Sequence, residues 1–269
     1  MQWFPDRNPI RLDFENLGFR PQSVISLGLL YNQENYKDVY DKFGFHISRY
    51  AMGEDYHSVI RHKLNPVLAA LKNKFPEFRF RAATDTLPLA EKVLARQSGI
   101  GWQGKNTNII NSRIGSFFFL SEILTDMPIE PDQAAKDRCG KCQKCMDACP
   151  TGALFEPYKI DAGKCISHAT IEDRCEFMHL DTHGWIYGCD ICQSVCPWNE
   201  KAEKMRRFTG ETRFFISDFF LQHTEDEIIH LDETLFAGSF EKSAIKRISH
   251  DQFKRNIRNY LAKGATKPA

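Results

Sequence analysis

The chain has 269 residues, 42% of them hydrophobic, enough for a substantial core in one large domain or two ordinary ones. A formal net charge of +1 excludes a global field that would draw in nucleic acid, and no apolar run reaches the length of a membrane span. Nine cysteines, eight of them in metal-type spacing, point to a reducing compartment. Met1–Pro5 lacks the basic and apolar regions of a signal peptide, and no twin-arginine segment is present, so a cytoplasmic chain with no membrane association is expected.

Residues 1–20 are polar and irregular. The β-branched run Ser23–Leu30 predicts a buried strand, and Phe45–Tyr50 a second short one. Val59, Leu64, Val67, Leu68 and Leu71 recur at helical spacing over Asp55–Lys74, with Asp55 as cap and Pro66 as a point for a kink. Phe78–Ala83 alternates like a strand. Pro88–Gln97 reads as a helix, capped by Thr86 and stopped at Ser98-Gly99. Asn108–Asn111 and Gly115–Leu124 predict a hairpin around Ser112–Ile114. Met127–Lys136 carries two prolines and reads as a linker. Residues 217–262 look helical. The expected fold class is α+β: a mixed α/β domain over 1–126, a ferredoxin-like domain over 127–200, and a helical C-terminal region over 201–269.

The chemistry concentrates in two cysteine runs. Cys139–Pro150 reads C-G-K-C-Q-K-C-M-D-A-C-P, the bacterial ferredoxin spacing for [4Fe–4S] clusters, and Cys189–Pro197 reads C-D-I-C-Q-S-V-C-P, with Cys165 between them. Eight thiolates suit two cubane clusters, the last Cys of a run crossing to the other cluster. The expected sorting is Cys139, Cys142, Cys145 and Cys196 for one cluster, and Cys149, Cys165, Cys189 and Cys192 for the other. Paired C-x2-C motifs also make zinc sites, but four closely spaced Cys before a Pro exceed one tetrahedral centre. Adjacent clusters mean electron transfer without naming the acceptor.

Two further stretches invite function. Gly99–Lys105 (G-I-G-W-Q-G-K) matches the start of a phosphate-binding loop, but Asn106 stands where Mg²⁺ binding wants Ser or Thr, and the segment before it reads as a helix rather than a strand. Nucleotide binding is therefore declined, and the glycines are left to a close approach by a cofactor or a neighbouring element. From Lys242 onward, eight Lys and Arg residues face one acid, Asp251, which suits either a phosphate-contacting surface or a solvated helical face.

The ordered set Y-A-M-G-E-D-Y-H (Tyr50–His57), T-D-T-L-P (Thr84–Pro88), G-W-Q-G-K-N-T (Gly101–Thr107), G-S-F-F-F-L-S-E-I-L-T-D (Gly115–Asp126), C-I-S (Cys165–Ser167) and Y-G-C-D-I-C-Q-S-V-C-P-W-N (Tyr187–Asn199), with the first cysteine run, resembles the epoxyqueuosine reductases over nearly the whole chain. The resemblance implies reduction of the epoxide of epoxyqueuosine to an alkene with loss of water, at the wobble position of tRNAs for Tyr, His, Asn and Asp. It implies that residues 1–126 hold a base-off cobalamin beside the first cluster, with the clusters passing single electrons to give Co(I). An external low-potential electron donor and a monomer are also expected.

In the family the proton donor falls in the motif matched by Thr84-Asp85-Thr86, which makes Asp85 the expected catalytic acid, with a pKa raised by burial against the corrin. Read without the family, Asp85 is a helix cap. Ser48, Tyr50, Lys105, Asn106 and Ile109, with Asp85, are the expected cobalamin contacts; alone they read as core aromatic (Tyr50), surface charge (Lys105) or strand core (Ile109). His57 is treated as structural and Cys175 as a spare thiol. Family members usually begin with a further segment before the equivalent of Trp3, and some carry a C-terminal helical-repeat domain, so the basic stretch from Lys242 is the expected tRNA stem contact. The rival readings are a reductive dehalogenase, which usually carries a twin-arginine signal and a Tyr donor, a non-catalytic ferredoxin-like carrier, and a zinc-dependent nucleic-acid module.

Overall fold

The computed structural model describes residues 19–85, 87, 89–175 and 178–263. Its strands in chain order are β1 (Ser23–Leu30), β2 (His46–Ile47), β3 (Phe80–Ala83), β4 (Trp102–Gln103), β5 (Ile109–Ile110), β6 (Phe118–Thr125) and β7 (Trp185–Tyr187). Three form an antiparallel sheet in the order β1-β6-β3, with Ser23 opposite Thr125, Leu30 opposite Phe118, and Phe80 opposite Thr125. β6 is central, so its run F-F-L-S-E-I-L-T is largely buried, as a strand covered on both faces must be.

The helix Tyr56–Lys74 packs on this sheet. Asp55 caps it as expected, its side chain accepting the His57 N–H at 3.0 Å, and the helix runs on through Pro66. Ile60 and Leu64 meet Phe80 and Ile123 in one core cluster. The helix Glu91–Gln97 starts later than the sequence predicts, with Ala90 rather than Thr86 as cap; Thr86 and Pro88 lie outside the described residues, as do Trp3 and Lys267. It ends where predicted, at Ser98 and a Gly99 with φ +76°.

The predicted hairpin is not formed as such. Asn111 and Gly115 exchange a single antiparallel bridge, but β5 pairs with β4, whereas β6 joins the large sheet. Alternation marks both segments as strands, and the partner is chosen by long-range packing instead. The Phe45–Tyr50 strand shortens to β2 and continues as a 3-10 turn at Arg49–Ala51.

β2 sets the site. It pairs in parallel with β7, 139 residues on by the partnership of His46 with Trp185, and so carries Ser48–Tyr50 to the second cysteine run. The largest core cluster draws Tyr36–Met52, Ile171, Ile186-Tyr187 and the helical stretch from Ile216 to Tyr260 together, so the core crosses all three sequence stretches. Helices at Asp218–Gln222, Glu225–Ile229, Glu233–Phe240 and His250–Lys263 bury Phe220, Phe236, Phe240 and Phe253 here; truncating one such ring to Ala costs roughly 3–5 kcal/mol. Among the described residues no helix is long and apolar enough to cross a membrane.

Candidate functional site

The cysteine runs fold as short loops closed by single helical turns, Lys144–Asp147 in the first and Ile191–Ser194 in the second. Gly188, at φ +69°, swings the chain from β7 into the second run; a Cβ there would meet the Ser48 Cβ at 2.5 Å, so only glycine lets the two backbones close. All nine cysteines are free thiols. Cys139, Cys142, Cys145 and Cys196 line one cavity of about 220 Å³. Cys149, Cys165, Cys189 and Cys192 line another, much larger, of about 1130 Å³. The eight sulfurs thus line two cavities, four to each.

Both donor sets fit an iron–sulfur cubane. Burial first, then the Cys196 and Cys139 thiolates, push the Cys145 thiol up to about 11; burial and neighbouring thiols likewise raise Cys189 and Cys192. Desolvated thiols crowded this way call for a cation, and iron deprotonates them on binding. At Cys149 burial is outweighed by backbone N–H groups of Leu154, Ala153 and Thr151 and by the Thr151 hydroxyl, which hold its thiol below the usual range. Among the described residues no three His, Cys, Asp or Glu converge on a single-ion position, whereas a cubane spreads four thiolates over four irons.

The smaller cavity is closed by hydrogen bonds. Lys105, 8% exposed, donates its Nζ to the carbonyls of Gly140 (2.8 Å) and Cys142 (2.9 Å), and the Trp102 indole donates to Cys139 Sγ at 3.5 Å. The glycines around Trp102 also find their explanation here. A Cβ on Gly101 would strike the Ile110 carbonyl, so they serve the close approach of β4 and β5; the phosphate-loop resemblance is sterically spent on a neighbouring element. Asn106 lines both cavities and donates from Nδ2 to the Cys192 carbonyl at 3.3 Å.

Ser48, Tyr50, Asp85, Asn106 and Ile109 all line the large cavity. Lys105 does not; it faces the smaller one. The large cavity is walled by Cys149, Cys165, Cys189 and Cys192 rather than by the set opened by Cys139, beside which the cofactor was expected. Its volume exceeds the roughly 300–1,000 Å³ of ordinary small-molecule pockets, so it suits a ligand of corrin size. Tyr50 is both core and wall, packed on Tyr56, Phe119 and Tyr187.

Asp85 has φ +50°, its side chain 65% exposed at the cavity. It caps no helix. Its carboxylate accepts from the Tyr56 hydroxyl at 2.8 Å, and His57 Nε2 stands 3.9 Å away. His57 Nδ1 is 2.8 Å from Asp55 Oδ1. Burial would raise Asp55, but bonds from His57 and Lys246 hold it well below the usual carboxylate range. His57 therefore anchors a network, in keeping with a structural role.

Three residues of this site escape a sequence reading. Asp190, fully buried between Cys189 and Cys192, accepts from Ser48 Oγ (2.6 Å), the Arg49 N–H (2.8 Å) and Tyr40 Oη (3.0 Å), tying the thiol loop to the cavity floor. Glu91 accepts the Asp85 N–H at 2.7 Å. Glu122, 0% exposed in β6, is pushed up to about 9 by burial, then by the Glu91 carboxylate beside it. The one signal in the sequence is an acid placed inside an apolar strand.

The basic stretch divides. Lys246 and Arg247 line the large cavity, Arg247 pairing with Glu172 at 2.8 and 3.0 Å. Arg255 is 4% exposed and donates to the carbonyls of Asp173, Cys175 and Ala169. It holds the chain around Cys175 and is not a surface contact; its place on the inner face of the helix His250–Lys263 decides this. Cys175 itself is exposed and lines neither cavity.

Comparison with known proteins gives two family matches. Residues 138–199 match the family described as a 4Fe-4S double cluster binding domain, and residues 11–86 the family described as epoxyqueuosine reductase QueG, DUF1730. An epoxyqueuosine reductase of Prochlorococcus marinus (strain NATL2A) is 36% identical over 261 residues, covering 96% of this chain and 81% of that protein. One of Leadbetterella byssophila is 39% identical, covering 92% and 80%. The solved epoxyqueuosine reductase of Bacillus subtilis, with its catalytic aspartate loop swung out of the active site, superposes with a TM-score of 0.82 at 28% identity, over 94% of this chain and 68% of that one. An epoxyqueuosine reductase bound to an epoxyqueuosine-modified tRNA-Tyr stem loop gives 0.79 at 29%, with the same coverage. A reductive dehalogenase reaches only 0.43 at 18%, too distant to bear on the reading.

Proposed function

The chain belongs to the epoxyqueuosine reductase family, and we propose that it reduces epoxyqueuosine to queuosine at the wobble position of tRNA, using a cobalamin in the large cavity and two [4Fe–4S] clusters. The observation that carries this is the meeting, in one cavity of about 1130 Å³, of four thiols and Asp85. Supporting it, the second thiol set lies next door: the Cys145 thiolate adds to the raising of Cys192, and Asn106 lines both cavities. Electrons from an external low-potential donor would enter at the Cys139 side and leave at the Cys192 side. The nine free thiols fit a reducing cytoplasm.

Turning an epoxide into an alkene and water consumes two electrons and two protons. Cobalamin, when bound, supplies a strongly reducing cobalt nucleophile for the ring carbon. Ser48, Tyr50, Asn106 and Ile109 would hold the corrin in the cavity, and Asp190 fixes Ser48 from behind. Asp85 delivers a proton to the alkoxide oxygen left by ring opening, with the Tyr56 hydroxyl orienting its carboxyl. Arg174, Lys246 and Arg247 on the cavity wall suit backbone phosphates, so that a wobble nucleotide splayed from its loop can enter.

The reading is tested by anaerobic reconstitution followed by titration with cobalamin. Two clusters give about eight irons per chain, and cobalamin should bind with a change in its visible spectrum that Asn106→Ala weakens. A fully iron-loaded protein that leaves the cobalamin spectrum untouched would sink it.

A further inference from the structure

Glu122 sits at the middle of the central strand, opposite Ser26 of β1 and Ala83 of β3. It is wholly buried, and among the described residues no donor reaches either carboxyl oxygen; Ser26 Oγ is likewise without a partner among them. Among the described residues the charged side chains acting on it are Glu91 first and then Asp85. Glu91 lines the large cavity and accepts the Asp85 N–H at 2.7 Å. Two carboxylates that face each other with no donor between them cannot both ionise, so one proton must lie between them.

We propose that Glu122 is a positioning residue: its protonated carboxyl donates to Glu91 and thereby latches the backbone of Asp85, turning that residue's side chain into the cavity. The proposal deepens the functional reading above and rests on Asp85 being the proton donor. The latch has strain to hold. Asp85 occupies the left-handed region, at φ +50°, which costs a non-glycine residue on the order of 1–2 kcal/mol. Its side chain is 65% exposed, so burial does not hold it in place. The bonds on it are the Tyr56 hydroxyl on its carboxylate and Glu91 on its N–H. Glu91 is itself half-buried at the first turn of its helix, and an untethered glutamate there samples many rotamers. A donor from the strand beneath fixes one of them.

The arrangement is also pH-sensitive. The titratable groups facing the pair are Asp85, His57, Lys92 and Tyr56: Asp85 raises Glu122, His57 lowers Glu91, and the Lys92 ammonium and the Tyr56 hydroxyl both lie in the field of the Glu91 carboxylate; among the described residues β1 and β3 place Ser26 and Ala83 opposite Glu122. While the shared proton is present the latch is closed. Its loss places two anions in contact, drives Glu91 away and frees Asp85.

Amide hydrogen exchange on the Ala83–Asp85 segment of reconstituted protein, read by mass spectrometry, tests the latch without requiring turnover. Glu122→Leu should raise exchange at Asp85 about tenfold or more, as expected for losing a hydrogen bond to a charged group. Glu122→Gln keeps an N–H donor and should restore protection. In turnover, Glu122→Leu should lower kcat about tenfold at constant KM for tRNA, with Glu122→Gln recovering most of it and losing the wild type's alkaline decline. Wild-type protection in Glu122→Leu overturns the latch. If Glu122→Leu does not fold, Glu122→Gln alone decides: an exchange profile that keeps the wild type's excess opening at alkaline pH overturns it. Exchange that responds as expected in a protein without turnover leaves the latch standing and removes the functional reading; turnover with unresponsive exchange does the reverse.

Discussion

The two thiol cavities are built from the same motif and put to different use. Around Cys139, Cys142, Cys145 and Cys196 the space is about 220 Å³, its loop clamped by Lys105 and covered by Trp102 and Trp198. Around Cys149, Cys165, Cys189 and Cys192 the wall opens into about 1130 Å³ shared with Asp85, Tyr56 and the basic rim. A cluster in the first can only pass electrons on, whereas one in the second faces a reaction space. The difference lies in what each cysteine loop packs against: β4 and β5 close one side, and the parallel pairing of β2 with β7 holds the other open beside Ser48.

That contrast can be broken at several points. The largest effect belongs to the reaction side. Asp85→Asn should retain both clusters and cobalamin yet lose turnover by roughly 10²–10⁴-fold, the range for a positioned general acid; wild-type turnover would remove Asp85 from that role. Cys192→Ala and Cys145→Ala should each halve the iron, but with a strong chemical reductant only Cys145→Ala should keep residual turnover. Equal loss in both would erase the distinction between relay and delivery.

Smaller effects sharpen it. The folded-state pKa of Glu122 is raised to about 9 by burial and by Glu91. An acid raised in this way ionises first in the unfolded chain, so wild-type stability falls as pH climbs from the ordinary glutamate range towards that value. Glu122→Gln should therefore gain on the wild type in thermal unfolding, by a margin that widens with pH; a constant margin would mean the buried carboxyl is already charged. On the relay side, Lys105→Ala removes two charge-assisted bonds and should speed iron loss from one cluster alone. At the rim, Arg247→Ala should cost under about 1 kcal/mol of stability, as exposed pairs do, while weakening tRNA binding and lowering its salt slope by about one.

Much of this was legible in the sequence because it is local. The cysteine spacing sorts eight thiols into two sets, and a β-branched run or an Asp before helical periodicity places β1 and the cap at Asp55. What escaped depends on pairing at a distance. Nothing near Asn111 says that β5 will choose β4 while β6 enters another sheet. Lys105 reads as a surface charge until the Cys139 loop folds over it, and Arg255 reads as a phosphate contact until its helix turns it onto three carbonyls. Glu122 stands inside the motif Gly115–Asp126, yet its meaning requires Glu91, brought alongside by the packing of its helix on β6.

The most direct test of the central claim is an anaerobic assay with reconstituted protein, cobalamin, a strong reductant and tRNA carrying epoxyqueuosine, the digested nucleosides being read by mass spectrometry. The modified nucleoside should lose one oxygen, the loss should require cobalamin, and Asp85→Asn should slow it by roughly 10²–10⁴-fold. Clusters and cobalamin fully bound, with the epoxide left intact, would contradict it.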